Sequence, residues 1–375
     1  MTAPGSDRAL SHPPAVLIRQ LRLRDFRRFR ELELRPASGF NLIVGDNGSG
    51  KSSVLEALHL MAHGRSFRGR VRDGLIRQGE ADLEVYLEWD QSGRQHRAGL
   101  RHAGSRWEGR LDGANVDHLG ELCAALAVIS FEPGSHVLIH GSSEARRRYL
   151  DWGLFHVEPE FLLQWRRYAR ALKQRNALLR SLRSDMQLDA WEHELADAGE
   201  QLTGFRAAYV SRLQPHLDRV TAALFPSAGS VVLGLQAGWK QQELALTDAL
   251  LLSRERDQAQ GHTTIGPHRA DVQLALECLP GRESLSRGQA KLMALSLLMA
   301  QAAQLAEYEG SWPVLQLDDL ASELDRNHQH RVLSFLHDCG AQVFVTGTEA
   351  PSVLASLEIE VAMFHVEHGA LTANH

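Results

Sequence analysis

The sequence predicts an α/β fold: a mixed sheet with flanking helices around a phosphate loop, an antiparallel β region beside it, and an inserted helical lobe. Three observations predict this. Residues 45–52 read GDNGSGKS, a complete G-x-x-x-x-G-K-[ST] loop set between an apolar run at Phe40–Val44 and a helical pattern at 52–63. Residues 16–34 alternate apolar and charged side chains with period two. From 143 to about 217 the chain turns to Leu-, Ala- and Arg-rich helical periodicity, after which short apolar runs return.

Taken in order, residues 1–15 carry Asp7 and prolines without a basic-then-apolar leader pattern, and are expected to form a disordered tail. Residues 16–34 read as two strands around a turn at 25–28, and Phe40–Val44 as a buried strand entering the phosphate loop. The helix that follows places Val54, Leu55, Leu58 and Met61 on one face and stops at Gly64. Residues 81–89 and 95–100 are further strands, with Gly93 and Gly104 at turns. Two amphipathic stretches, 160–182 and 188–213, break near Ser184 and Asp185, which predicts a helical hairpin about 35–40 Å long. That is too short for an extended coiled-coil arm. Residues 231–235 and 271–276 are strands, 288–305 a strongly apolar helix, and 314–317 and 342–345 the last buried strands. The expected domains are the tail at 1–15, a discontinuous head at 16–140 and 226–375, and a helical lobe at 141–225.

The loop is the strongest chemical signal. Nearly all positive charge here is Arg; the lysines are Lys51, Lys173, Lys240 and Lys291. A lysine is kept where a compact ammonium must reach the β- and γ-phosphates of a nucleotide. The N–H groups of Asn47 to Lys51 are placed to cradle phosphate oxygens, with the positive end of the helix dipole behind them. The candidate nucleotide-binding residues are Gly45, Asp46, Asn47, Gly48, Ser49, Gly50, Lys51, Ser52 and Ser53, and the hydroxyl of Ser52 is the candidate Mg²⁺ ligand. The reading is a protein that binds ATP or GTP.

Two further motifs complete the site. Asp318 and Asp319 end the apolar run Val314–Leu317. A carboxylate at that strand end can hold Mg²⁺ and its neighbour can orient and deprotonate the attacking water, so Asp318 is assigned to the metal and Asp319 to catalysis. Gln316 interrupts the run, so this strand is expected to be less buried than its counterparts. Ser286, Arg287, Gly288 and Gln289 precede the apolar helix and offer a second anion site at its N-terminus, for use in trans on ATP held by a second copy. Ser322-Glu323-Leu324-Asp325 follows, where communication between paired sites is expected.

Composition bounds the partners. Lys+Arg 41 against Asp+Glu 46 gives a net charge of −5, so no global polycation announces nucleic acid. The first 110 residues nevertheless carry a net +6 and the remainder −11. Cys123, Cys278 and Cys339 have no metal-ligand spacing and read as reduced thiols of a cytoplasmic protein. No uninterrupted apolar stretch reaches 18 residues, so no membrane association is expected.

These motifs, in this order, resemble the ABC-type ATPase head shared by transporters and chromosome-maintenance proteins. Within that superfamily LRLRDFRRFRELEL, GDNGSGKSSVLEALHLMAHGRSFRG, GSSEARRRYLD, GPHRAD, SRGQ and QLDDLASELD are similar to the blocks of the RecF family of bacterial recombination mediators, over about residues 16–368. The resemblance implies a two-lobed head that forms an ATP-dependent homodimer. It further implies binding to gapped DNA or single-strand/double-strand junctions, slow DNA-dependent ATP hydrolysis acting as a switch, and partnership with RecR and, through it, RecO. The implied setting is RecA loading in gap repair, replication and the SOS response. Transport ATPases carry a phosphate-sensing His after the last core strand; here Thr346 stands there. Residues 132–136 lie where a Q-loop would, without a convincing match.

Candidate DNA contacts are Arg65, Arg68, Arg70 and Arg72 after the nucleotide helix, and Arg146, Arg147 and Arg148 at the start of the helical lobe. Aromatics make up only 6 % of the chain, which favours backbone-led duplex or junction binding over base stacking. His268 and Arg269 are expected to hold the two lobes together. Two other classes compete. A transporter motor requires a membrane partner and ignores DNA; the basic β-rich N-terminal region and the missing His argue against it. A small-molecule kinase needs no dimer, and the SRGQ block argues against that.

Overall fold

Residues 15–68, 74–104, 106–181, 185–277 and 281–374 are described in a computed structural model of the chain. They form two compact units: Met1–Pro133 with Ala302–His375, and Gly134–Gln301. Of the expected tail only Ala15 is described, and it makes a parallel bridge to Trp312. Arg70, Arg72 and Cys278 lie outside the described residues.

The first unit holds two six-stranded sheets. The antiparallel one contains β1 (Leu17–Phe26), β2 (Phe29–Leu34), β4 (Leu83–Gln91), β5 (Arg94–Ala103), β6 (Arg106–Leu111) and β7 (Ala114–Val116), in the order β2-β1-β4-β5-β6-β7. Its alternating sequence sorts cleanly. Leu21, Leu23, Val85, Leu87 and Trp89 face the core, while arginines and carboxylates pair across the outer face, as Arg24 does with Glu84 and Arg101 with Asp82. The mixed sheet runs β14-β13-β3-β12-β11-β8, with β3 (Phe40–Val44), β8 (Val128–Phe131), β11 (Val314–Leu317), β12 (Val343–Gly347), β13 (Val361–Glu367) and β14 (Ala370–Asn374). All of its pairings are parallel except β13–β14.

Between the sheets lies α1 (Lys51–His63), buried almost all round and joined with both sheets in one core. It is fully enclosed, so the one-sided apolar face read from its sequence understates its burial. Glu56 on α1 is wholly buried and receives Arg27 through Nε at 2.9 Å and NH2 at 2.6 Å, and the Ser66 hydroxyl donates to it as well. Through Glu56 the Arg27 ion pair ties the β1–β2 turn, and the Ser66 hydroxyl the segment after α1, to the helix that carries Lys51. α2 (Leu119–Ala125) also belongs to this unit, as do α9 (Leu320–Glu323), α10 (Arg326–Cys339) and α11 (Ser352–Ser356).

The second unit contains α3 (Val137–His140), α4 (Ser143–Val157), α5 (Phe161–Ser181), α6 (Asp185–Leu224), the antiparallel pair β9 (Val231–Gln236) and β10 (Asp271–Leu276), and α7 (Leu246–Gln260). α8 (Arg287–Glu309) begins there and ends in the first unit. The unit is thus larger than the lobe expected at 141–225, because side chains stitch the β ribbon to the helices. The Gln214 amide on α6 donates to Val231 O at 2.7 Å and accepts from Leu233 N–H at 2.8 Å, in the manner of a neighbouring strand. Arg146 on α4 pairs with Asp271 on β10. α6 runs 40 residues, about 60 Å, past the end expected at 213 and straight through Pro215. The hydrogen bond that proline removes is outweighed by the buried row of Leu213, Leu217, Val220 and Leu224.

A buried ionic knot holds α5, α6 and α7. Arg175, wholly buried, donates to Glu192 at 2.9 Å, Asp257 at 2.7 Å and the Thr263 hydroxyl at 2.8 Å, and Arg254 joins through Glu192 and Asp189. Arg175→Met would take the guanidinium from buried Asp257 and leave Glu192 with Arg254. Urea unfolding is expected to show a loss of roughly 3–5 kcal/mol, and an unchanged midpoint would contradict that role for the knot.

Candidate nucleotide site

The site is built where β3 ends. Its five residues are all buried, so the chain leaves the sheet as a rigid strand and must turn sharply into α1. Glycine makes the turn possible. Gly45, Gly48 and Gly50 have φ of 151°, 78° and 122°. A Cβ on Gly45 would come within 2.2 Å of Val366 O, and one on Gly50 within 2.9 Å of the Phe29 ring. Lys51 then folds back over the loop, only 9 % exposed, donating from Nζ to Gly45 O at 2.7 Å and Asp46 O at 2.8 Å. Burial lowers its ammonium pKa, against the opposing fields of Asp319, Asp318 and Asp46. The lysine and the carboxylate pair therefore share one electrostatic environment.

Next to β3 is β12, and next to β12 is β11, which delivers the carboxylates. Gln316 does not loosen this strand. It is 1 % exposed and accepts from the Ser130 hydroxyl at 2.8 Å, so all four residues of β11 are buried. This overturns the expectation of a less buried strand; one hydrogen bond to β8 satisfies the amide oxygen. Asp318, 5 % exposed, donates its N–H to Phe131 O at 2.8 Å and accepts from the Thr346 hydroxyl at 2.6 Å. Asp319 adopts the left-handed conformation, φ 55° and ψ 42°, and caps α9. Such a conformation is uncommon outside glycine and tolerated by Asp. Glu132 directly follows β8, the parallel neighbour of β11. Residues 132–136 thus start at the carboxyl end of the sheet, where sequence alone offered only a position.

A cleft of about 420 Å³ opens over the loop, lined by Gly48, Gly50, Lys51, Ser52 and Ser53, and by Arg27, Arg28, Arg68, Gly74, Ile76 and Gln78. Arg68, expected to touch DNA, is among the residues lining this cleft. Arg27, Arg28, Ile76 and Gln78 were not singled out in sequence; they reach the loop only because the β1–β2 turn and the segment after α1 fold onto it. The oxygen-only set of Ser52 hydroxyl and Asp318 carboxylate suits a hard cation. Among the described residues no cluster of three or more His, Cys, Asp or Glu forms a metal cage. Mg²⁺ needs none, since it is held by one or two protein oxygens together with phosphates.

In the second unit, Ser286 and Gln289 form a reciprocal capping box at the start of α8: Gln289 N–H donates to Ser286 Oγ at 3.3 Å, and Ser286 N–H to Gln289 Oε1 at 2.9 Å. Ser286, Arg287 and Gly288 are exposed. Arg146 does not serve as a surface cation. It is 3 % exposed, doubly bonded to Asp271 at 2.6 and 3.0 Å, and donates to Gly141 O at 2.8 Å. Arg147 donates to Ala270 O and the Ser143 hydroxyl, and exposed Arg148 pairs with Glu144. Arg65 is exposed. His268 binds Tyr168 OH at 2.6 Å and Thr263 O at 3.0 Å, all within the second unit, and burial pushes its pKa down to about 4, so it is a neutral structural group. Arg269 is exposed. Cys123 and Cys339 are free thiols whose pKa burial raises to about 11 and about 12.

A phosphate loop feeding a helix enclosed by a mixed and an antiparallel sheet, with a paired carboxylate two strands away, defines an ABC-type ATPase head. The model of the RecF/RecN/SMC N-terminal domain matches residues 17–372. A protein of Stenotrophomonas maltophilia named DNA replication and repair protein RecF is 58 % identical over 361 residues, covering 95 % of this chain and 99 % of that protein. One of the same name from Thioalkalivibrio sulfidiphilus is 38 % identical, covering 95 % and 99 %. A solved structure of the recombination mediator protein RecF-ATPrS in the RecFOR pathway superposes with a TM-score of 0.85 at 25 % identity, covering 97 % of this chain and all of that one. The Smc head domain of Pyrococcus furiosus, at 15 % identity and a TM-score of 0.58 over 96 % of each chain, shares the fold. The chain belongs to the RecF/RecN/SMC family, in the RecF branch that these relatives define.

Proposed function

We propose that this protein is an ATP-switched, DNA-binding mediator of recombinational repair and replication. The observation that carries the reading is the loop itself: Lys51 seated on Gly45 O and Asp46 O, within the field of Asp318 and Asp319. ATP is held by the loop N–H groups of residues 45–53 and by Lys51, and Mg²⁺ by Ser52 and Asp318. When bound, the ion neutralises charge developing on the phosphates. Asp319 orients the attacking water and takes its proton. Within the Ser286–Gln289 cap the Ser286 and Gln289 N–H groups are closed on each other's side chains, and the exposed Arg287 and Gly288 N–H groups face the nucleotide of a second copy, so ATP joins two heads and hydrolysis releases them. The relatives' names support repair, and the place of the solved RecF-ATPrS structure in the RecFOR pathway supports RecR- and RecO-type mediators as partners. Arg65, Arg148 and Arg269 are exposed and are candidate phosphate contacts. Among the described residues no helix is long and apolar enough to cross a membrane.

Binding of labelled gapped duplex DNA, with ATP and with ADP at one fixed salt concentration, tests the proposal. Tighter binding with ATP is expected; no binding in either state would overturn it. Ser286→Arg should leave ATP binding by the monomer intact and weaken the ATP-dependent dimer at least about tenfold, since a bulky charge would be buried unpaired at the joint. Calorimetry and sedimentation together check this, and lost ATP binding would place the loop in cis.

A further inference from the structure

We infer that Thr346 is the positioning residue of the carboxylate pair, an assignment that rests on the nucleotide-site reading above. Thr346 lies near the end of β12, between the strand that delivers the phosphate loop and the strand that delivers Asp318 and Asp319. Its backbone is in register with Ile43, two residues before Gly45. The side chain is 1 % exposed and makes two hydrogen bonds at once. It donates to Asp318 Oδ1 at 2.6 Å and accepts from Asp319 N–H at 2.9 Å. A hydroxyl alone supplies that combination of one donor and a free lone pair in so small a volume.

Each bond does something specific. The first is a short, charge-assisted contact in a buried site, and it fixes the rotamer of Asp318 while committing one of its oxygens. The other oxygen is then the one left for a metal shell. The second bond holds the amide of a residue in the left-handed conformation, φ 55°, and so sets the direction in which the Asp319 carboxylate leaves the backbone. Asp318 N–H is separately held by Phe131 O on β8. The Asp318 backbone is therefore aligned by β8, and the Asp318 carboxylate and the Asp319 amide by β12. Removing the hydroxyl while keeping the shape leaves a buried Asp318 oxygen and the Asp319 amide without their partner.

Steady-state ATP hydrolysis at varied ATP and Mg²⁺, with ATP binding measured beside it, tests this in the full-length chain. Thr346→Val, which keeps shape but neither bond, should lower kcat about 10- to 100-fold and raise the Mg²⁺ needed for half-maximal rate, with KM for ATP little changed. Thr346→Ser should restore most of the rate. A valine variant with wild-type kcat and Mg²⁺ dependence overturns the assignment. If the valine variant does not fold, Thr346→Ala decides against Thr346→Ser: impaired alanine with active serine supports the inference, and equal rates overturn it. A wild-type chain that binds no ATP overturns instead the nucleotide reading on which the inference rests.

Discussion

Lys51→Ala is expected to abolish ATP binding in practical terms. The ammonium is buried to 9 % exposure and pre-aimed by two backbone carbonyls at 2.7 and 2.8 Å, so little ordering remains to be done when a phosphate arrives. Its desolvation is already reflected in a lowered pKa. Phosphate charge would reverse that shift, which is why the loss on truncation should be large. Removing one partner of a buried, hydrogen-bonded charge pair costs about 2–5 kcal/mol, or roughly 30- to 4,000-fold in affinity. Lys51→Arg should do little better, because a planar fork does not replace a compact ammonium under a tight loop. Titration calorimetry with ATP reads both. Wild-type affinity in Lys51→Ala would remove the site assignment altogether.

Asp319→Asn is expected to trap an ATP-bound dimer. The substitution keeps the side chain's size, and Asn tolerates the left-handed backbone that position 319 adopts, so the fold should survive. What is lost is the proton acceptor. Turnover should fall by about 10²–10⁴-fold while ATP still binds, and the joined state should accumulate. Sedimentation under saturating ATP checks it: a dimer that persists is the expected result, and a monomer would count against ATP-mediated joining. Because Asp318 keeps its own bonds to Phe131 and Thr346, the metal position is expected to be undisturbed, which separates this variant from one at Asp318.

Much of the head was readable in advance because its signals are local. Phe40–Val44 is a strand over the residues its apolar run marked, and the loop, the helix behind it and the 314–317 strand stand where spacing put them. Two of the strands missed have remote partners. β13 reads as an ordinary mixed run, yet it pairs in parallel with β3 and forms one wall of the phosphate-loop strand. β8 is only four residues, VISF, bounded by Glu132 and Pro133, a short apolar run whose signal was present but weak. α6 runs past the end at 213 that its periodicity marked, and through Pro215, because Leu217, Val220 and Leu224 are buried.

The site divides along the same line. Sequence by itself determined that a phosphate loop, a carboxylate pair and a capped helix N-terminus occur in that chain order, since each is a contiguous pattern whose chemistry follows from backbone geometry over a few residues. Tertiary structure alone decided which side chains are available to that chemistry. Arg146 carries the same charge as Arg148, but Asp271, 125 residues on, neutralises it in the interior. Gln316 looks like a polar break until the Ser130 hydroxyl, 186 residues away, is seen to donate to its amide oxygen. Thr346 looks like a missing histidine until its hydroxyl is seen to join Asp318 and Asp319. Burial and pairing across long separations set the cost of a polar group, and no local pattern encodes them.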